Sequence, residues 1–378
     1  MKRVLIILLS VITLVSCNSR KENEYLLSAT MIGNDIEGKD VILKRIGANN
    51  QPEDVDTTQI INGKFSFTGF SEVPELHYLF FDGVQGFVGV VLEEGDIKIT
   101  AYKDSINFSI LGGTPSNDDF NKYVLGQRQI GDKIAAVREE YRDASARKDS
   151  VTAASLLEVY NETVAEAREY DPNFIRNNEK SYISVLILEK LFASQEKTAE
   201  ETKTAFDLLS EDAKNSKVGK SLDAALTEIF ETAAKVAIGN VAPDFSAPSP
   251  EGKNVSLNDV KGKVTVIDFW ASWCKPCRVE NPRVVAMYNK YHDEGLNIIG
   301  VSLDRRTKDW VEAIEQDQLP WSHVSNLLFW RDPIAKLYGV RAIPATFILD
   351  SEGKIVARDL RGPALEAKVS ELLGNDAL

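Results

Sequence analysis

The stretch Asp268-Phe269-Trp270-Ala271-Ser272-Trp273-Cys274-Lys275-Pro276-Cys277 decides how this chain is read. The apolar run Lys263–Trp270 reads as a buried strand, and Pro276–Tyr291 behind it as a helix. The cysteines therefore stand at a strand-to-helix turn. The thiolate, not the thiol, attacks a disulfide, and a helix N-terminus favours its charge. The Cys-x-x-Cys spacing puts Cys277 one turn along the helix, close enough to close a small disulfide ring. Cys274 is thus expected as the exposed nucleophile and Cys277 as the more buried resolving thiol. Pro276 fits a first helical turn, where no backbone donor is lost. Lys275 should stabilise a thiolate at Cys274 modestly, so Lys275 and Pro276 are the redox-tuning pair.

Half of a zinc site is the competing reading. It needs further N or S ligands, and His77, His292 and His323 lack paired spacing. Two unreactive core cysteines are disfavoured by the tryptophans and proline that frame the pair. Asp268 is the unusual neighbour. A carboxylate inside an apolar strand is costly unless it has a partner or a task. Glu280 lies three residues past Cys277, on the same helix face.

Around this stretch strands alternate with helices, as in an α/β domain. Leu296–Leu303, Ala345–Leu349 and Lys354–Ala357 read as strands, Thr307–Gln316 and Ala364–Leu373 as helices. The domain begins near the boundary Gly239–Phe245 and is placed at 238–378. A chain of 378 residues is long for one domain. Residues 24–112 carry short β-branched and aromatic runs between turn signals, the pattern of an all-β sandwich. Thr57–Ile61 and Lys64–Thr68, joined by Asn62-Gly63, are expected to form a hairpin. Residues 116–236 are rich in Ala, Glu, Lys and Leu at helical spacing and read as four or five helices, punctuated at Asp171-Pro172 and Asn177-Asn178. The expected architecture is multidomain: a β-sandwich, a central α-helical region and a C-terminal α/β domain.

The net charge of −13 argues against nucleic acid, which selects basic surfaces. Residues 1–17 have a Lys2-Arg3 start and an apolar run Val4–Val15, shorter than the roughly 20 residues that span a bilayer. Leu14-Val15-Ser16-Cys17 resembles the bacterial lipobox, which implies cleavage and acylation at Cys17. A plain secretory signal that happens to hold a cysteine is the alternative. With Cys17 lipidated, only Cys274 and Cys277 of the three cysteines remain, so no structural disulfide framework is available.

Asp268–Cys277 is very similar to the active-site stretch of thioredoxin. Arg341-Ala342-Ile343-Pro344-Ala345-Thr346 resembles the thioredoxin segment whose cis-proline faces the disulfide. Val241–Phe245, Leu257–Lys263, Glu280 with Pro282, and the extra segment after Ser302-Leu303-Asp304 resemble the TlpA/ResA-like branch. This resemblance covers about 238–376. More loosely, 24–236 resembles the modules that precede such domains in Bacteroidetes lipoproteins. It implies a thioredoxin fold and a disulfide oxidoreductase with no cofactor beyond the Cys274–Cys277 pair. It makes Asp268 the base that takes the proton from Cys277, gives Glu280 a tuning role, and offers Trp273, Ile343 and cis Pro344 to substrate.

The implied activity is reduction of protein disulfides on the periplasmic side of the envelope, possible substrates being apocytochrome in cytochrome c maturation or damaged proteins. A membrane electron donor of the thiol-reducing type would restore the dithiol, and acylated Cys17 would hold the chain to a lipid membrane, the outer one on the reading of the acidic residues that follow it. Two alternatives stay open: a disulfide oxidase or isomerase, and a binding lipoprotein whose redox domain is secondary. A peroxidase is discounted, because Ala271 and Ile267 stand where peroxiredoxins carry Thr or Ser and Pro.

Overall fold

A computed structural model describes residues 21–47 and 51–374; the signal segment and Cys17 lie outside the described residues. The chain divides into two compact units, Met1–Ala224 and Ala225–Leu378.

In the first unit, β1 (Glu24–Ile32), β4 (Lys64–Phe70), β7 (Gly95–Tyr102) and β8 (Ile110–Gly112) form one sheet in the order β4-β1-β7-β8. A second sheet, ordered β3-β2-β5-β6, holds β2 (Asp40–Ile46), β3 (Pro52–Gln59), β5 (Glu75–Phe81) and β6 (Val88–Leu92). Alternation decides what each strand buries. Leu27, Ala29 and Met31 of β1, Phe65 and Phe67 of β4, and Leu43 of β2 enter one shared apolar cluster.

The expected hairpin is only a turn. Asn62 and Gly63 both have positive φ, and Ile61 and Lys64 exchange both backbone hydrogen bonds across them. Beyond that bridge the strands separate, β3 pairing with β2 and β4 with β1. The reason lies in the side chains. β4 alternates cleanly into the core, whereas β3 is almost wholly exposed and serves as a sheet edge.

Six helical segments follow, one more than the upper expectation: α1 (Pro115–Ala146), α2 (Ser150–Asn177), α3 (Tyr182–Ala193), α4 (Ala199–Leu208), the short α5 (Glu211–Asn215) and α6 (Lys217–Lys235). The division between the units falls within α6. Asp171-Pro172 does not interrupt the chain; Pro172 lies inside α2. A mid-helix proline removes a hydrogen bond and is unfavourable by about 3 kcal/mol. Tertiary bonds offset it here. The Asp171 carboxylate accepts from Tyr123 Oη at 2.8 Å and Lys190 Nζ at 2.7 Å, tying α2 to α1 and α3.

In the second unit, the strands in chain order are β9 (Ser246–Pro248), β10 (Asn254–Ser256), β11 (Val264–Trp270), β12 (Leu296–Ser302), β13 (Ser322–Val324), β14 (Ala345–Leu349) and β15 (Ile355–Arg358). The helices are α7 (Lys275–Tyr291), α8 (Thr307–Asp317), the one-turn α9 (Pro333–Leu337) and α10 (Gly362–Leu372). The main sheet runs β13-β12-β11-β14-β15, with β12 parallel and β14 antiparallel to the central β11. Every residue of β11 is buried, which explains its continuous apolar sequence. The lead-in at Gly239–Ala242 bonds to the backbone around Gly353–Ile355. The short β9, β10, β13 and α9 gave no periodic signal in the sequence.

Candidate active site

β11 ends at Trp270, and α7 begins after the turn that follows it. Cys274 is the N-cap of α7, and Cys277, in the first turn, donates its backbone N–H to Cys274 Sγ at 3.2 Å. The two cysteines are joined in a disulfide with Cα atoms 5.3 Å apart. The helix N-terminus therefore faces the Cys274 sulfur, the geometry that stabilises a thiolate once the bond is reduced.

The turn is pinned from two sides. The buried Asp304 carboxylate, just past β12, accepts from Ser272 N–H at 3.0 Å and Ser272 Oγ at 2.5 Å. Arg278 donates to the Ser272 carbonyl at 3.2 Å and forms an ion pair with Asp317 at the end of α8. Neither Asp304 nor Arg278 was singled out from the sequence. Ser302-Leu303-Asp304 was noticed only as a resemblance, and no local pattern links Asp304 to Ser272.

One expectation needs correction. Cys274 is not exposed in the disulfide form: it retains 4% of its accessible surface and Cys277 2%. The helix cap draws the Cys274 sulfur in against the α7 backbone. The exposed member of the motif is Trp273, at 46%.

Behind Cys277 lies a cavity of about 20 Å³, lined among others by Asp268, Glu280, Pro344 and Arg361. That volume holds about one water molecule. Burial pushes the Asp268 carboxyl up to about 7; Glu280 adds to the rise and Arg361 opposes it. Glu280, on the helix face it shares with Cys277, accepts the Gly362 N–H at 2.7 Å. The Ile343–Pro344 peptide is cis. The structure thus brings Asp268, Glu280, Cys277 and Pro344 to one cavity. Ile343 is half-buried beside Pro344; Lys275 and Pro276 are exposed at the start of α7.

Arg361 was missed. Its guanidinium donates to the Pro344 carbonyl, and it lines the Asp268 cavity. It follows β15 at the start of α10, far from either sequence motif, so only the folded chain reveals it.

A buried Cys-x-x-Cys disulfide at a helix N-terminus, with a carboxyl of raised pKa behind it and a cis-proline beside it, defines a thioredoxin-like domain for thiol–disulfide chemistry. Known proteins are similar to this chain over the same region. The AhpC/TSA family profile matches residues 238–358, and a domain of unknown function, DUF4369, matches 27–120. The thiol-disulfide oxidoreductase ResA of Bacillus cereus is 32% identical over 144 residues, which is 38% of this chain and 81% of that protein. The thioredoxin domain of a thiol-disulfide oxidoreductase from Bacteroides vulgatus is 40% identical, with a TM-score of 0.35 over 36% of this chain and 98% of that one. A thiol:disulfide interchange protein from Bacteroides sp. is 38% identical, with a TM-score of 0.35, over 38% of this chain and 93% of that one. The chain belongs to the TlpA/ResA-like thiol–disulfide oxidoreductases.

Proposed function

We propose that this oxidoreductase reduces disulfides of extracytoplasmic proteins through Cys274 and Cys277. The observation that carries this reading is the cavity that joins Asp268 to Cys277 behind a helix-capped Cys274. The Cys274 thiolate attacks one sulfur of the substrate disulfide. A bond forms from Cys274 to that sulfur, the substrate S–S bond breaks, and the departing thiolate takes a proton from solvent. Cys277 then gives its proton to ionised Asp268, directly or through one water, and attacks Cys274 Sγ. The Cys274–Cys277 bond forms and the second substrate thiolate leaves and is protonated. The substrate gains two electrons and two protons, and the pair is oxidised. A membrane-bound dithiol donor of low potential returns the electrons.

A carboxyl near 7 is suited to this role, because a base works best when its pKa lies near the working pH. The helix N-terminus and Lys275 favour the Cys274 thiolate, whereas Asp268 and Glu280 disfavour a thiolate at Cys277, so the two thiols divide into attacking and resolving roles. Trp273, Ile343 and Pro344 form the contact surface for the substrate chain. The basic, apolar leader that ends in Cys17 supports a lipid-anchored placement on the periplasmic side, and the acidic residues soon after Cys17 favour the outer membrane.

The test is the reduction potential of the pair in the full chain, equilibrated against dithiothreitol and glutathione. A value of about −270 mV or lower is expected of an electron donor. A value near about −120 mV would reverse the direction. Loss of all exchange in Cys274→Ser should accompany either value, and retained exchange in that variant would overturn the assignment.

A further inference from the structure

Trp273, beside the disulfide, is extended into an aromatic ledge by two residues that the exchange chemistry does not use. Phe329 lies 5.0 Å from Trp273 between ring centroids, and Trp330 lies 6.1 Å from it. Leu328, next to them, is 45% exposed. The backbone of this ledge is strained. Leu327 and Phe329 both adopt left-handed backbone, with φ of 56° and 55°, a conformation that bulky residues avoid and that persists where the surroundings enforce it. Asp332 braces the segment next to them. Fully buried, it accepts from Ile334 N at 2.8 Å, Ala335 N at 3.2 Å and Asn326 Nδ2 at 3.0 Å, closing the base of the loop.

Four exposed cations lie in or next to the segments that carry the disulfide, the ledge and the cis-proline. Lys275 at the start of α7, Arg305, Arg331 and Arg341 are exposed, and among the described residues none of them is in an ion pair. The Arg305 guanidinium lies 4.1 Å from the centroid of Phe329. Arg331 follows Trp330, and Arg341 precedes the cis-proline segment. Acids on the same loops are not available as counter-charges. Asp304 and Asp332 are buried and spent on internal hydrogen bonds, Asp359 pairs with Arg358, and Asp317 pairs with Arg278. A basic rim on a chain of net charge −13 is a local arrangement against the trend of the whole.

We infer that Trp273, Phe329 and Trp330, with the rim of Lys275, Arg305, Arg331 and Arg341, form a docking surface for an acidic polypeptide segment that carries an apolar side chain beside its disulfide. The ledge takes the apolar side chain, and the rim takes the flanking carboxylates. This rests on the function proposed above and names the substrate class of the same site. Charge of one sign around a cleft raises the association rate of the opposite sign and loses that effect as salt screens it.

Two disulfide-bearing peptides of equal length test it on the full chain in mild detergent. Both hold a Leu-Phe pair beside the disulfide; one is flanked by glutamates, the other by lysines. Each rate is divided by the rate of the same peptide with dithiothreitol, which removes the intrinsic reactivity of its disulfide. At low salt the glutamate peptide should be preferred on the order of tenfold in kcat/KM, mostly through KM. At about 1 M salt, where screening acts within about 3 Å, the preference should collapse. In the Arg305→Glu, Arg331→Glu double variant the ratio should fall below one, and a ratio taken on one preparation does not depend on its folded fraction. Replacing the Leu-Phe pair by serines should raise KM severalfold. Neutral 2-hydroxyethyl disulfide separates the two readings. Turnover of it with no preference between the peptides overturns the docking surface alone. No turnover of any disulfide overturns the proposed function. Salt-sensitive self-association without a peptide preference would assign the face to a second copy of the chain and overturn the inference too.

Discussion

β1 and β11 occupy the same kind of place, each flanked on both sides within its sheet, yet they are buried in opposite ways. β1 alternates, with Leu27, Ala29 and Met31 in the core and Ser28 and Thr30 turned outward. β11 is buried at all seven positions. A polar side chain on β1 has solvent to face and costs little. A polar side chain on β11 has none, so Asp268 stands out energetically as well as chemically. The strand that leaves no place for a carboxylate is the one that carries the carboxylate beside the disulfide. The candidate redox pair and its carboxylate lie where burial is complete, and the alternating sheets of the first unit share a distributed core.

The largest expected effect tests that separation. Leu43 on β2 is fully buried in the apolar cluster shared by the two sheets of the first unit. Leu43→Ala should destabilise that unit by about 2–5 kcal/mol, through lost transfer energy and the cavity left behind. Disulfide exchange by the second unit, assayed well below the shifted transition, should be unchanged. A parallel loss of exchange, followed by denaturant unfolding and turnover on the same samples, would break the comparison by showing that the two units act as one.

Asp268→Asn comes next and should move stability and rate in opposite directions. Burial holds the Asp268 carboxyl near 7 in the folded chain, against about 3.9 in an unfolded one. Between those values the folded state keeps a proton that the unfolded state has released. Stability therefore falls as pH rises from about 4 to 7, and the loss is complete above that. The asparagine variant lacks this loss. At pH 8 the oxidised variant should be more stable than the wild type by up to about 4 kcal/mol, with the difference gone by about pH 4. Resolution of the mixed disulfide should slow by about 100-fold at pH 7, the lower end of what a positioned base contributes. Rapid-quench trapping of the mixed disulfide reads the rate directly. An unchanged rate from pH 6 to 9 would remove Asp268 from the mechanism.

What could be read from the sequence follows the same line. Asp268, Cys274, Cys277 and Glu280 lie within one strand-turn-helix, so their spacing alone places them around one point. Pro344 is distant in sequence, yet its motif marks it. The helical character of residues 116–236 and most of the first unit's strands follow from periodicity. Where reading failed, the deciding interaction was remote. Asn62-Gly63 makes its turn, but the partners of β3 and β4 are chosen by β2 and β1. Pro172 looks like a helix breaker until Tyr123 and Lys190 are seen to bond Asp171. Arg361 and Asp304 act on Pro344 and Ser272 through contacts that no local pattern encodes. The burial of Cys274 was missed because spacing says which residues adjoin a helix end and nothing about what covers them.

The smallest effect concerns Glu280. Its carboxylate does two things that can be separated. One oxygen accepts the Gly362 N–H, at a residue whose φ of 54° is left-handed, and so fixes the start of α10 beside Arg361. Its charge also raises the Asp268 pKa, second to burial. Glu280→Gln keeps an oxygen for the Gly362 bond and removes the charge. Asp268 should then ionise at lower pH, and the pH at which mixed-disulfide resolution is half-maximal should move down by a fraction of a unit, because the larger cause, desolvation, is untouched. Glu280→Ala removes both the charge and the acceptor and frees the Gly362 N–H. It should shift the midpoint the same way and in addition raise KM, because Arg361 no longer holds the Pro344 carbonyl in a fixed place. If the glutamine and alanine variants are indistinguishable in both readouts, the hydrogen bond to Gly362 does not position the substrate loop, and Glu280 acts on the site through its charge alone.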